Sequence, residues 1–176
     1  MQWTPLLTAL LYALIVPGQP SPVTDQARQR LTRYIEHLNR QFPDVARITP
    51  AELAALVPLP VLLDVRSEKE FAVSHLPAAI LVSGDPVREV KQMELPANTP
   101  IVVYCSVGYR SSVAAQKLSK AGFTNVRNLE GSIFAWAHEN RPMVNASGPT
   151  SGVHPFNVIW GRYLDRSLWQ WKPESK

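Results

Sequence analysis

Residues 101–112, IVVYCSVGYRSS, constrain this chain more than any other stretch. The apolar run Ile101, Val102, Val103 and Tyr104 predicts a strand, and a Gly-containing loop then leads into a helical pattern at Ser111. Between them stands the chain's only cysteine, Cys105. A strand this uniformly apolar is buried on both faces, which is the signature of a parallel sheet covered by helices. A cysteine at its end faces loop N–H groups and the positive end of the next helix, with Arg110 close by. Each of these favours thiolate over thiol, so Cys105 is a candidate nucleophile. The competing reading is a small hydrophobe closing a core strand, as most free cysteines are. Packing alone, however, needs neither an arginine five residues on nor a glycine at the centre of the turn.

The rest of the chain repeats the alternation. Short apolar runs at 61–65, 79–82 and 126–129 read as strands. Helical patterns follow at 50–56, 67–71, 86–95, 111–121 and 132–139. Thr49-Pro50 and Ser67-x-x-Glu70 are helix starts, and Gly122 is a helix stop. The expected fold is therefore α/β, a parallel central sheet with helices on both faces, and ligands bind such sheets at the carboxyl ends of the strands.

Before this unit, residues 6–16 form an apolar run broken only by Thr8 and closed by Pro17-Gly18. Eleven residues are too few to span a bilayer as a helix, so residues 1–23 read as an export signal or a short membrane anchor. The alternative is an apolar helix packed on the domain. The first reading implies an exported, periplasmic or membrane-anchored protein; the second leaves it cytoplasmic. Residues 24–47 predict an amphipathic helix with Thr24 or Asp25 as cap and Pro43 as stop, covering one side of the domain or lying on a membrane. Residues 48–143 are the domain. Residues 144–176 are a linker, NASGPTSG, and an aromatic-rich extension. Its tryptophans either pack back on the domain or meet a partner protein or a membrane.

Composition narrows the function. The net charge of +4 is spread along the chain, which suits a small anionic substrate or a membrane surface and lacks the dense basic face of a nucleic-acid binder. One cysteine excludes an internal disulfide and a cysteine-only metal site. His37, His75, His138 and His154 show no ligand spacing, so no metal is expected and each histidine reads as a surface or turn residue.

Three ordered motifs resemble the rhodanese family. Asp64-Val65-Arg66 with Glu70-Phe71 and the run from Ser74 to Ile80 resembles its first signature. The loop from Tyr104 to Ser112 is similar to its active-site loop, and Gly122-Phe123 with the run from Leu129 to Ile133 and Ala135-Trp136 to its closing signature. The resemblance implies a single-domain sulfurtransferase that moves sulfane sulfur through a persulfide on Cys105. The donor would be thiosulfate or a related persulfide, and the acceptor cyanide or a thiol. Ser106, Val107, Gly108, Tyr109 and Arg110 would bind the substrate through loop amides and the Arg110 cation, while Asp64, Arg66, His75 and Ser111 would support the loop. No cofactor is implied.

Four residues separate Cys105 from Arg110, as in the sulfur-transferring members; related phosphatases and arsenate reductases carry five, which disfavours that alternative. A persulfide carrier or a protein-binding module without turnover is the other alternative. Ser74, Ala78 and Ser132 depart from family glycines. Ser106 and Val107 leave Arg110 as the loop's only cation, which makes thiosulfate a poor donor.

Overall fold

The computed structural model describes residues 22–173. The apolar run 6–16, with the export or anchor reading it carries, lies outside them. Among the described residues no helix is long and apolar enough to cross a membrane.

Five strands form one parallel sheet: β1 (Arg47–Ile48), β2 (Val61–Asp64), β3 (Ile80–Leu81), β4 (Ile101–Tyr104) and β5 (Val126–Leu129), in the order β1-β5-β4-β2-β3. β4 is central, paired along its length with β2 (Leu63 opposite Val103) and with β5 (Val103 opposite Asn128). Alternation along β4 divides the core. Val102 and Tyr104 join Leu62, Leu129, Ile133 and Phe134 on one face, while Ile101 and Val103 join Leu63, Val90, Ala115 and Leu118 on the other. The helices are α2 (Pro50–Ala55), α3 (Glu68–Val73), α4 (Pro86–Gln92), α5 (Tyr109–Lys120) and α6 (Ser132–His138). Both expected starts are complete capping boxes: Thr49 with Glu52, and Ser67 with Glu70.

α1 (Pro22–Gln41) begins before Thr24 and does more than cover one side. Leu31 enters one core and Leu38, with Phe42 just past the helix end, the other, so the helix crosses the loop end of the sheet. There Leu38 packs on Gly108, and Leu31 and Ile35 pack on Gly131.

The expected linker is a hairpin, β6 (Met143–Asn145) and β7 (Gly148–Thr150). Asn145 Oδ1 accepts the Ser147 N–H, Gly148 takes φ +119, and Val144 bridges to His75, so turn chemistry and a docked edge order a stretch whose composition reads as flexible. The aromatic extension packs back on the domain. Val153 and Leu164 are buried, Trp160, Tyr163 and Trp169 lie against the core, and α7 (Val158–Gly161) is a single turn. The segment is clasped where it leaves and returns: Val153 N–H donates to Leu168 O at 2.8 Å and Gln170 N–H to Val153 O at 3.0 Å.

One histidine departs from the expected surface or turn placement. His138 is buried, and its Nε2 accepts the Asp165 N–H at 3.0 Å, tying α6 to the extension. A ring enclosed this way resists protonation: burial first, then the Arg28 charge, hold its pKa down at about 4.

Candidate active site

Cys105 follows β4 directly, and its Sγ lies where the loop and α5 converge. Gly108 N–H donates to Sγ at 3.2 Å and Ser111 Oγ at 3.5 Å. Burial pushes the thiol pKa up, but the Arg110 charge and the bonds from Ser111 and Gly108 outweigh it, leaving the pKa below the ordinary thiol value.

The loop is held open from behind. Gly108 adopts φ +113, and a Cβ there would lie 3.2 Å from Leu38 Cδ1, so the turn that aims its N–H at sulfur admits only glycine without strain. Its carbonyl accepts from Ser112 N–H, Ser112 Oγ and Asn128 Nδ2. α6 supplies the second brace: Ile133 N–H donates to Cys105 O and Phe134 N–H to Ser106 O, both at 3.2 Å. With those carbonyls turned toward α6, the Gly108 N–H is left to face sulfur. Ser132, at φ +52, accepts the Cys105 N–H on its Oγ at 3.1 Å.

Arg110 reaches the site through a carboxylate. Its Nη2 lies 2.7 Å from Glu70 Oε1 and its Nη1 3.1 Å from Oε2, while Ser106 Oγ donates to Oε1 and accepts from Nη2. Glu70 is buried, which opposes its ionisation; the Arg110 pair and the Ser67 bonds prevail and hold its pKa at about 2. The loop's only cation is thus already paired in place.

Asp64 and Arg66 are both fully buried and paired at 2.6 Å, and Arg66 Nη2 also donates to Ser74 O at 2.6 Å. They tie the end of β2 to the turn at 74–76, where Tyr104 Oη accepts the Leu76 N–H. His75 stacks on Phe71 at 3.7 Å and stays in that turn. Ser111 alone of the expected supporting residues reaches Sγ. Tyr109 leans on Phe42 at the rim.

Cys105, Ser106, Val107, Tyr109 and Arg110 line a cavity of about 170 Å³, and Phe156 and Trp160 from the extension complete it. Phe156 lies 5.0 Å from the Arg110 guanidinium carbon, a cation–π contact. The chamber over the sulfur is therefore largely apolar. Sequence reasoning missed Glu70 as a site residue because Ser67-x-x-Glu70 already explained it as a cap; its two oxygens do both jobs. Ser132 read only as a replaced glycine, and Phe156 and Trp160 only as members of an aromatic run.

The family model for the rhodanese-like domain matches residues 49–139, just over half the chain. A sulfurtransferase of Allochromatium vinosum is 33% identical over 88 residues, covering 50% of this chain and 81% of its own. The adenylyltransferase and sulfurtransferase UBA4 of Meyerozyma guilliermondii is 36% identical over 86 residues, covering 45% of this chain and 20% of its own. The present chain therefore spans only about a fifth of that longer relative. Among solved structures, the thiosulfate sulfurtransferase from Pseudomonas aeruginosa shares the fold, with a TM-score of 0.56 at 23% identity over 70% of this chain and 23% of that one.

Proposed function

The chain belongs to the rhodanese-like domain family, and on that footing we propose that it is a sulfurtransferase working through a persulfide on Cys105. The Cys105 thiolate attacks the outer sulfur of a donor. The bond from that sulfur to the rest of the donor breaks, its electron pair leaves with sulfite or a thiolate, and the Cys105 persulfide anion remains. An acceptor thiolate then attacks the terminal sulfur. The S–S bond breaks back onto Cys105 Sγ, and a new persulfide departs. No external oxidant or reductant enters, because the sulfane sulfur passes on at its own oxidation level.

The observation that carries this reading is the convergence of the Gly108 N–H and the Ser111 hydroxyl on a thiol whose pKa is lowered by Arg110. The same donors stabilise an anion on the second sulfur. The Glu70–Arg110 pair and the Phe156–Trp160 roof favour an alkyl persulfide or polysulfide donor over the thiosulfate dianion. They disfavour a phosphate ester for the same reason.

The test incubates the full chain with thiosulfate or an alkyl persulfide, with cyanide or a thiol as acceptor, and Cys105→Ala as control. One sulfur gained on Cys105 by intact mass and turnover lost in the variant are expected. An unmodified cysteine with every donor overturns the proposal, while sulfur loading without turnover selects the persulfide-carrier reading.

A further inference from the structure

Beside the sulfur chamber, Arg30, Arg33, Tyr34 and His37 of α1 meet Arg162 and Tyr163 of the extension around a second cavity of about 470 Å³. Residues 30, 33, 34 and 37 are one helical turn apart and share a face. The three arginines make no ion pair among the described residues: Arg30 reaches Gln26, and Arg162 reaches its neighbour Tyr163. Three guanidinium groups around one cleft with no carboxylate in its lining repel one another, and a bound anion relieves that repulsion. The cleft is built from α1 and the extension, both outside the residues matched by the family model.

An aromatic cluster links the linings of the two cavities. Trp160, which lines the sulfur chamber, lies 5.5 Å from the Tyr34 ring and 5.7 Å from the Tyr163 ring, both of which line the basic cleft. A ligand occupying both would carry negative charge at one end and sulfur at the other. The division of polarity matches: the chamber is apolar with its cation already paired, and the unpaired cations lie across the cluster.

We infer that the basic cleft anchors the carboxylates of the sulfur acceptor, a small thiol bearing at least two negative charges, whose sulfur passes Trp160 to reach Cys105. This rests on the sulfurtransferase reading. The acceptor's thiolate attacks the terminal sulfur of the Cys105 persulfide, Cys105 Sγ recovers the electron pair, and the thiol's proton goes to solvent.

Two arms test the inference on the full chain and on Arg33→Ala/Arg162→Ala, both exposed positions, with thermal unfolding to verify the fold. The first measures binding of S-methylglutathione, which carries two carboxylates and cannot accept sulfur, and of sulfate. The second compares turnover with glutathione against neutral 2-mercaptoethanol. The expected result is S-methylglutathione binding weakened about tenfold or more in the variant, with a like fall in the glutathione-to-mercaptoethanol ratio of kcat/KM. Undetectable or unweakened S-methylglutathione binding overturns the inference, as does an unchanged ratio. Sulfate binding lost in the variant with the ratio intact also overturns it, leaving an anion site with no part in acceptance. The binding arm needs no sulfur transfer, so it remains informative if Cys105 takes up no sulfur.

Discussion

Glu70 grips Arg110 with both carboxylate oxygens, at 2.7 and 3.1 Å, while its Oε2 also caps α3 through Ser67. The pair turns the expected anion receptor into a charge-balanced wall, and under the proposed function that balance sets the choice of donor.

Glu70→Gln keeps the shape but removes the negative charge and one of the two acceptor oxygens. Arg110 then presents a net cation to the chamber, and kcat/KM with the thiosulfate dianion is expected to rise several-fold relative to that with a neutral dialkyl trisulfide. Steady-state kinetics with the two donors check this, a dialkyl trisulfide serving as the neutral donor because an alkyl persulfide is itself an anion at neutral pH; an unchanged ratio refutes the account of donor preference.

Acid should loosen the same pair. The folded pKa of Glu70, about 2, lies below its ordinary 4.5, so its contribution to stability is complete above pH 4.5 and is lost as pH falls from there toward 2. Allowing for the partial exposure of Arg110, the loss is about 1–2 kcal/mol. Urea unfolding at pH 5.5 and pH 3 should show a smaller loss in Glu70→Gln than in the wild type.

The Ser111 hydroxyl is one of the groups that lower the Cys105 pKa. Alkylation by iodoacetamide as a function of pH should inflect below the ordinary thiol value in the wild type, and at higher pH in Ser111→Ala than in the wild type. Coincident profiles would mean that the hydroxyl does not tune the nucleophile.

His138 predicts a second pH dependence, remote from the sulfur. Its folded pKa of about 4 lies below the ordinary 6.5, so neutral His138 contributes stability above pH 6.5 that is lost as pH falls toward 4, about 1 kcal/mol of it by pH 5.5. Protonated Nε2 cannot accept the Asp165 N–H. Hydrogen exchange of that amide should therefore accelerate between pH 7 and 5.5, beyond the intrinsic trend, in the wild type but not in His138→Gln.

The parallel sheet, its strand ends and the cysteine loop were legible because each rests on local rules. β4 and β5 fall on their expected residues, the capping boxes at Thr49 and Ser67 form, and Gly108 occupies the turn the loop pattern required. Glu70 meeting Arg110, 40 positions away, has no local signature. Neither has Trp160 beside Tyr34, nor His138 under Asp165. The hairpin at 143–150 was missed for a related reason: a Gly-, Ser- and Pro-rich stretch reads as flexible until its edge meets His75.

The clasp at Val153 and Trp169 gives the extension a different meaning from that of a tail. A segment that departs and returns at one hydrogen-bonded point is a cassette: its two ends are fixed together on the domain, and between them Leu164 anchors it to the core. Phe156, Trp160 and Arg162 all lie inside it, whereas Cys105, Gly108 and Ser111 lie outside. Under the proposed function, the groups that handle sulfur and several of those that meet its carriers are thus encoded in separate stretches of chain, joined at the Phe156–Arg110 contact.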